Sequence, residues 1–160
     1  MASGKWHDRS IIISSPLSGG IAYFLTKDWV ISSIFTTSYF LGGMYLSPDL
    51  DLRSNVFYRW GFLRWIWKPY QRLIPHRGRF VYRNPLSHAP IIGTILRIGY
   101  LAMLCLPLVI LSRLDSSRMV GWIMNNQNIV FTVLIGVESS SWIHLVMDIS
   151  STYQKLWIGK

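Results

Sequence analysis

Four apolar stretches, separated by polar or mixed segments, organise the chain. The first, Ile11 to Leu25, is interrupted by Ser14, Ser15, Pro16, Ser18, Gly19 and Gly20 and predicts a marginal membrane span. The second, Trp29 to Leu46, carries Ser and Thr hydroxyls that bond back to their own helix, and predicts a helix that spans or nearly spans a bilayer. The third, Pro90 to Leu111, is the most continuous span; Ser87 or His88 can cap it and Pro90 fits its first turn. The fourth, Val120 to Ile149, contains a polar patch at Asn125 to Asn128 that could split it. Between the second and third, residues 53–85 mix Arg and Lys with Tyr58, Trp60, Phe62, Trp65, Trp67 and Tyr70. Rings with one polar edge and long cationic stems favour the headgroup layer of a bilayer. The pattern predicts an all-α single domain over residues 1–160, a bundle of about four antiparallel membrane-associated helices with an interfacial basic and aromatic loop.

Composition agrees with that outline. The 160 residues are 51% hydrophobic and 14% aromatic, with a net charge of +9, and the mean hydropathy is +0.31. That is more apolar surface than one small soluble core requires, and the charge calls for an anionic partner: lipid headgroups, a phosphorylated substrate or nucleic acid. The polar start, Met1 to Arg9, and the lack of a small-residue cleavage site predict that the first apolar segment is retained. Cys105 is the only cysteine, which excludes an intramolecular disulfide and a thiolate cluster, so any bound metal takes nitrogen and oxygen ligands.

The ionisable residues fall on this outline unevenly. His7 and Asp8 precede the first helix, Asp49 and Asp51 follow the second, His76 lies in the basic connection, His88 opens the third, and His144 and Asp148 close the fourth. If consecutive helices alternate in direction, all of these groups meet at one end of the bundle. The opposite end holds Lys27, Asp28, Arg113, Asp115 and Arg118 and no histidine. Local spacing agrees. Asp49 and Asp51, at i and i+2 in an extended segment, would point the same way and repel unless a cation sat between them. His144 and Asp148, at i and i+4, share one face of a helix. Nitrogen with carboxylate suits a divalent metal, with zinc first and manganese or iron as alternatives, and eight candidates leave room for one to three ions.

The residues also carry a resemblance. His7, the stretch from Leu46 to Asp51, His76-Arg77-Gly78, Ser87-His88 and the late His144 with Asp148 resemble the membrane-bound metal-dependent hydrolases of the LexA-regulated type and their short metal-binding relatives. Here Arg79 to Leu86 separates the His-Arg-Gly and Ser-His elements, which lie close together in that family. More remotely, the pattern is similar to the helical phospholipase C and P1 nuclease group. The resemblance implies a phosphoester hydrolase at the membrane.

Such a site has a definable chemistry. Metal ions would lower the pKa of a bound water to about 7. Asp49 or Asp51 would bridge ions, and Arg77, Arg79 and Arg83 could hold phosphate oxygens or anchor lipid headgroups. Arg97, inside the third helix, is expected to face a polar cavity, and Ser140 and Ser141 to support His144, whereas Glu138 lies on another face. Twelve of the sixteen Lys and Arg residues fall on the site side and three on the other, which predicts a multi-pass protein with its site and both termini facing the cytoplasm. Two other classes compete. A non-catalytic protein with a structural metal fits the same ligands; a transporter would need them along a path across the membrane. A nucleic-acid module could stack bases on the aromatic segment, but the flanking apolar helices favour a membrane.

Overall fold

The chain turns back on itself after its first helix because Asp28 caps the second. Helix α1 spans Gly4–Thr26 and α2 spans Trp29–Tyr45. The Asp28 carboxylate accepts hydrogen bonds from the backbone N–H groups of Val30 and Ile31 at 2.7 and 3.1 Å, satisfying donors that the first turn leaves without partners. Pro16 sits inside α1, and on the same stretch the hydroxyls of Ser14 and Ser15 donate to the carbonyls of Ser10 and Ile11. The Ser14 and Tyr39 hydroxyls, 2.6 Å apart, join α1 to α2.

The computed structural model describes residues 4–76, 85–112 and 115–158. Past α2 come a 3-10 turn, Pro48–Asp51, helix α3, Asn55–Arg59, a second 3-10 segment, Gly61–Ile66, and α4, Trp67–Leu73. Then follow α5, Pro85–His88, α6, Ile92–Leu111, α7, Ser116–Asn125, and α8, Gln127–Ile158. The described residues are all-α, with eight α-helices and no strand.

The pairing of α2 with α8 depends on small residues. A Cβ on Gly136 would lie 2.1 Å from Ser38 Oγ and 2.8 Å from the Phe35 carbonyl oxygen, and one on Gly42 would lie 2.8 Å from Val137 Cα. Backbones that close leave no room for a side chain, the usual device for joining helices where lipid removes the hydrophobic drive. This seam sets α8 against α2, whose C-terminus leads into the turn carrying Asp49 and Asp51.

The fold departs from four equal membrane helices. Two helices, Ile92–Leu111 and the Gln127–Gln154 part of α8, are long and apolar enough to cross a membrane, and α2, at 17 residues, falls short of the roughly 20 required. The predicted fourth helix breaks at Asn126 into α7 and α8, at the polar patch noted above, and α8 continues to Ile158. The third helix begins at Ile92, not at Pro90. Pro90 instead opens a γ-turn in which the Ile92 N–H donates to the Pro90 carbonyl and Ile91 takes a φ of 64°. Only the first half of α6 packs inward, through Gly93, Thr94, Arg97 and Tyr100.

The basic and aromatic segment, over its described residues 53–76, is helical where a loop was expected. It folds into a small helical lobe whose core is Leu50, Val56, Phe57, Trp67, Tyr70 and Tyr100. Half of its aromatics therefore face inward, because the turn at Pro48–Asp51 brings Leu50 under them. Gln71 fixes that turn by donating to the carbonyls of Leu50 and Leu52 at 3.0 Å each.

Gly136→Val overpacks the α2/α8 seam and is expected to lower stability by about 1–3 kcal/mol. Gly121→Val, at a position with nothing within 4 Å, leaves it unchanged. Thermal unfolding in detergent of the two variants beside the parent protein checks this; equal midpoints would remove the seam from the account.

Candidate metal centre

Four donors from three separate elements converge. Asp49 comes from the 3-10 turn after α2, His88 ends α5, and His144 and Asp148 lie one turn apart on α8. All four side chains are buried, and Asp148 is wholly so. His144 Nε2 lies 3.4 Å from Asp49 Oδ1 and 3.3 Å from Asp148 Oδ2; His88 Nε2 lies 3.7 and 3.5 Å from the same two oxygens. These separations are long for hydrogen bonds, which cluster at about 2.7–3.2 Å. All four donor atoms lie within 4.8 Å of one another, close enough to share one ion bound at about 2.0–2.2 Å. Asp49 Oδ1, His88 Nε2 and His144 Nε2 are buried and make no hydrogen bond, a costly state that a metal ion would relieve. The donor set therefore fits a divalent ion.

Three of the four donors are oriented from behind. The Nδ1 of His144 lies 3.1 Å from the Ser47 hydroxyl, and the Nδ1 of His88 lies 2.9 Å from the Ser87 hydroxyl. With Nδ1–H donating to serine, each ring presents its Nε2 lone pair inward, the tautomer a metal needs. Ser87 in turn donates to Asp51 Oδ2 at 2.5 Å, and His76 Nδ1 contacts that same oxygen at 2.9 Å. His7 reaches Asp148 Oδ1 through Nε2 at 3.2 Å, leaving Oδ2 facing the other donors, and its ring stacks on His144 at 3.8 Å between centroids.

The two aspartates at i and i+2 do not point the same way. Pro48 has a fixed φ and no N–H, so it starts a helical turn where the sequence suggested an extended segment. At three residues per turn, positions i and i+2 diverge by about 120°. Asp49 thus faces His88 and His144, while Asp51 faces His76 and Ser87. Asp51, His76 and His88 form a second group of metal-compatible residues. Since the His88 Nδ1 is engaged by Ser87, that group reads as the hydrogen-bonded support of the first. Asp8 is not among these donors: its carboxylate pairs with Arg59 at 2.7 Å. Arg77, expected to be catalytic, lies outside the described residues, as do Arg79 and Arg83. Arg97 faces inward as expected, 1% exposed, donating to the Ser87 carbonyl and to the Thr94 and Ser141 hydroxyls. Glu138 accepts the Ile91 N–H at 2.8 Å and so holds the γ-turn after His88. Ser47 and Ser87 were not picked out as supports; Ser87 was visible as the neighbour of His88, but Ser47 lies 97 positions from His144, with no local signal.

The electrostatics follow from this packing. Burial would raise the Asp49 pKa, but the charge of His144, with that of His88 and His7 behind it, more than offsets this and holds it well below the usual carboxylate range. Burial would lower His88, but the carboxylates of Asp148 and Asp49 reverse the sign and raise it. His76 is raised chiefly by its bond to Asp51. A raised histidine stabilises the metal-free fold fully below its unfolded value of 6.5 and loses that contribution as pH rises through the raised value. Asp49 contributes above 3.8 and loses its contribution as pH falls through its lowered value.

Metal ions and protons compete for the same imidazoles. The gain in melting temperature on metal loading is therefore expected to grow as pH rises from 6 to 8.5 and to shrink below 6, as thermal scans at matched free metal would show. A gain independent of pH would mean that histidines are not ligands. Ser47→Ala is expected to weaken metal affinity by about 10–100-fold while leaving the fold intact, measured by competition with a chelator. An unaltered affinity would remove Ser47 from the centre.

No solved structure matches the chain at a significant level. An uncharacterized protein from Aquifex aeolicus (strain VF5) is 40% identical over 68 residues, 42% of this chain and 43% of that protein, so the likeness spans less than half of the relative. The resemblance to metal-dependent hydrolases narrows, on these findings, to metal binding. The family described as "Uncharacterized metal-binding protein (DUF2227)" matches residues 2–158, a stretch that contains every donor of the centre, and the chain belongs to that family.

Proposed function

We propose that this is a membrane-embedded protein that holds one zinc ion in a closed, structural site. The observation that carries the reading is the four-donor set of Asp49, His88, His144 and Asp148. Two nitrogens and two oxygens are enough donors to fill the four-coordinate shell zinc prefers, whereas manganese favours more, oxygen-rich ligands. Catalytic zinc sites keep an open position; a set of four protein donors closes it. The ion would tie the end of α2, α5 and the middle of α8 together, supplying positive charge to Asp49 and Asp148.

The membrane assignment rests on α6 and α8, the two helices of spanning length, whose apolar faces are largely exposed. The excess of Lys and Arg on the site side supports an orientation with the centre and both termini at the cytoplasmic face.

A second reading keeps a hydrolase acting on a phosphoester, lipid or otherwise, at that face. Asp51 favours it: its Oδ1 is buried without a hydrogen bond beside the centre, a carboxylate oxygen in reserve. Of the arginines that contact the surroundings of the centre, Arg59 is paired with Asp8 and Arg97 is enclosed.

Elemental analysis of detergent-purified parent protein, Asp49→Ala and His144→Ala decides the main point, combined with a screen of phosphodiester and phospholipid hydrolysis. One zinc per chain in the parent, loss in both variants and no turnover are expected. Equal metal in all three would sink the site, and turnover that vanishes with the metal would establish the hydrolase. In sealed vesicles, a cysteine replacing Arg118 is expected to react from outside; reaction from the cytoplasmic side alone would reverse the orientation.

A further inference from the structure

The lobe between α2 and α5 sorts its aromatic residues into two populations. Trp67 and Tyr70 are fully enclosed, while Phe62 is 86% exposed and Tyr58, Leu63 and Trp65 are each about half exposed. The exposed set gathers around the 3-10 segment Gly61–Ile66, which contains no buried residue. Folding of this chain leaves that face uncovered, although the same sequence shows that the lobe can bury rings where it needs to.

Charge accompanies the apolar face. The Arg64 guanidinium lies 5.4 Å from the Tyr58 ring centre and 5.3 Å from that of Trp65, and the Lys68 ammonium sits 3.8 Å over Trp65. Both cationic side chains are half-buried, with their charged groups set against the exposed rings. From residue 52 to residue 114 the sequence contains no Asp or Glu at all, so nothing acidic in this part of the chain competes for them.

The lobe also has a fixed depth relative to α6. Trp67 and Tyr70 pack on Tyr100 at 5.6 and 5.3 Å between ring centres, and the Tyr100 hydroxyl donates to the Ile66 carbonyl. Tyr100 is the ninth residue of α6, so the lobe touches that helix within about 12 Å of its start.

We infer that the outward face around Phe62, Leu63, Arg64, Trp65 and Lys68 is an interfacial anchor that lies in the headgroup layer of an anionic bilayer and sets the depth of the metal centre. Rings enter the boundary between acyl chains and headgroups, and the two cations meet lipid phosphates. The inference rests on the membrane reading above but concerns a surface outside the two spanning helices. The same turn that holds Asp49 also carries Leu50 into the lobe's core, so the anchor and the centre move as one body.

Spin labels test the depth. The full chain with Cys105→Ala and Phe62→Cys is labelled and reconstituted into phosphatidylcholine vesicles, with or without one-third phosphatidylglycerol. Accessibility to dissolved oxygen and to a water-soluble nickel chelate is then read. The anionic vesicles are expected to shield the label severalfold from nickel, with oxygen contact at headgroup depth. Arg64→Gln with Lys68→Gln, or high salt, should reverse that shielding without changing metal content. A label equally open to nickel in both vesicles, and indifferent to the two substitutions, would overturn the anchor while leaving the spanning helices standing. Spin–spin broadening between labels would overturn it in favour of a contact between two copies of the chain. A protein that fails to float with either vesicle would overturn the membrane reading itself, and the anchor with it.

Discussion

Three carboxylates lie inside a molecule whose sequence is half apolar, and the fold is arranged around giving each of them positive charge or hydrogen-bond donors. An isolated buried carboxylate costs several kcal/mol even after relaxation. Asp49, Asp51 and Asp148 are each at most 7% exposed. Four histidines and two serines from elements far apart in sequence surround them. The other acids are used elsewhere: Asp28 and Asp115 cap helices, Asp8 pairs with Arg59, and Glu138 holds the turn before α6. With only seven acids in 160 residues, few are left for a solvated surface, and the +9 charge is the visible residue of that economy.

Apolar packing and the polar centre share parts. Leu50, between the two aspartates, is completely buried against the lobe's core. Its anchorage is what divides Asp49 from Asp51, since rotating the turn to bring both carboxylates to one side would pull Leu50 out. On the other flank, Gly42 and Gly136 let α2 and α8 approach until Ser47 can reach His144. Arg97 adds a fixed cation that touches no carboxylate and instead grips the Ser87 carbonyl, tying the first half of α6 to the neighbour of a ligand. The centre is thus as rigid as its hydrophobic surroundings, which suits ligands that must be held in place before an ion arrives.

Much of this was legible in the sequence because the argument was topological. Alternating helix direction was enough to bring His7, Asp49, His88, His144 and Asp148 to one end, and the structure gathers them there. What escaped were features decided by contacts distant in sequence. Asp8 looked like a ligand until folding brought Arg59 beside it, 51 positions away. The Asp49 and Asp51 pair looked like one clamp because alternation assumes an extended chain, and Pro48 with Leu50 imposes a helical turn. The basic aromatic stretch read as a loop, since composition alone does not say which rings pack inward. Four apolar runs likewise suggest four spans, but α2 is too short and α1, though 23 residues long, is diluted by serines and glycines, which leaves two among the described helices.

The placement of the donors along the chain has a consequence for biogenesis. His7 comes almost first and Asp148 almost last, and half of the four-donor set is carried by the final helix. A ribosome releases the chain from one end, so the earlier ligands emerge with no complete partner set and the ion cannot be captured in its native coordination until α8 is made. Until α8 is made, Asp49 and Asp51 have only the imidazoles of His76 and His88 and the Ser87 hydroxyl around them. The last long helix thus closes a site whose other half is laid down with the end of α2 and with α5.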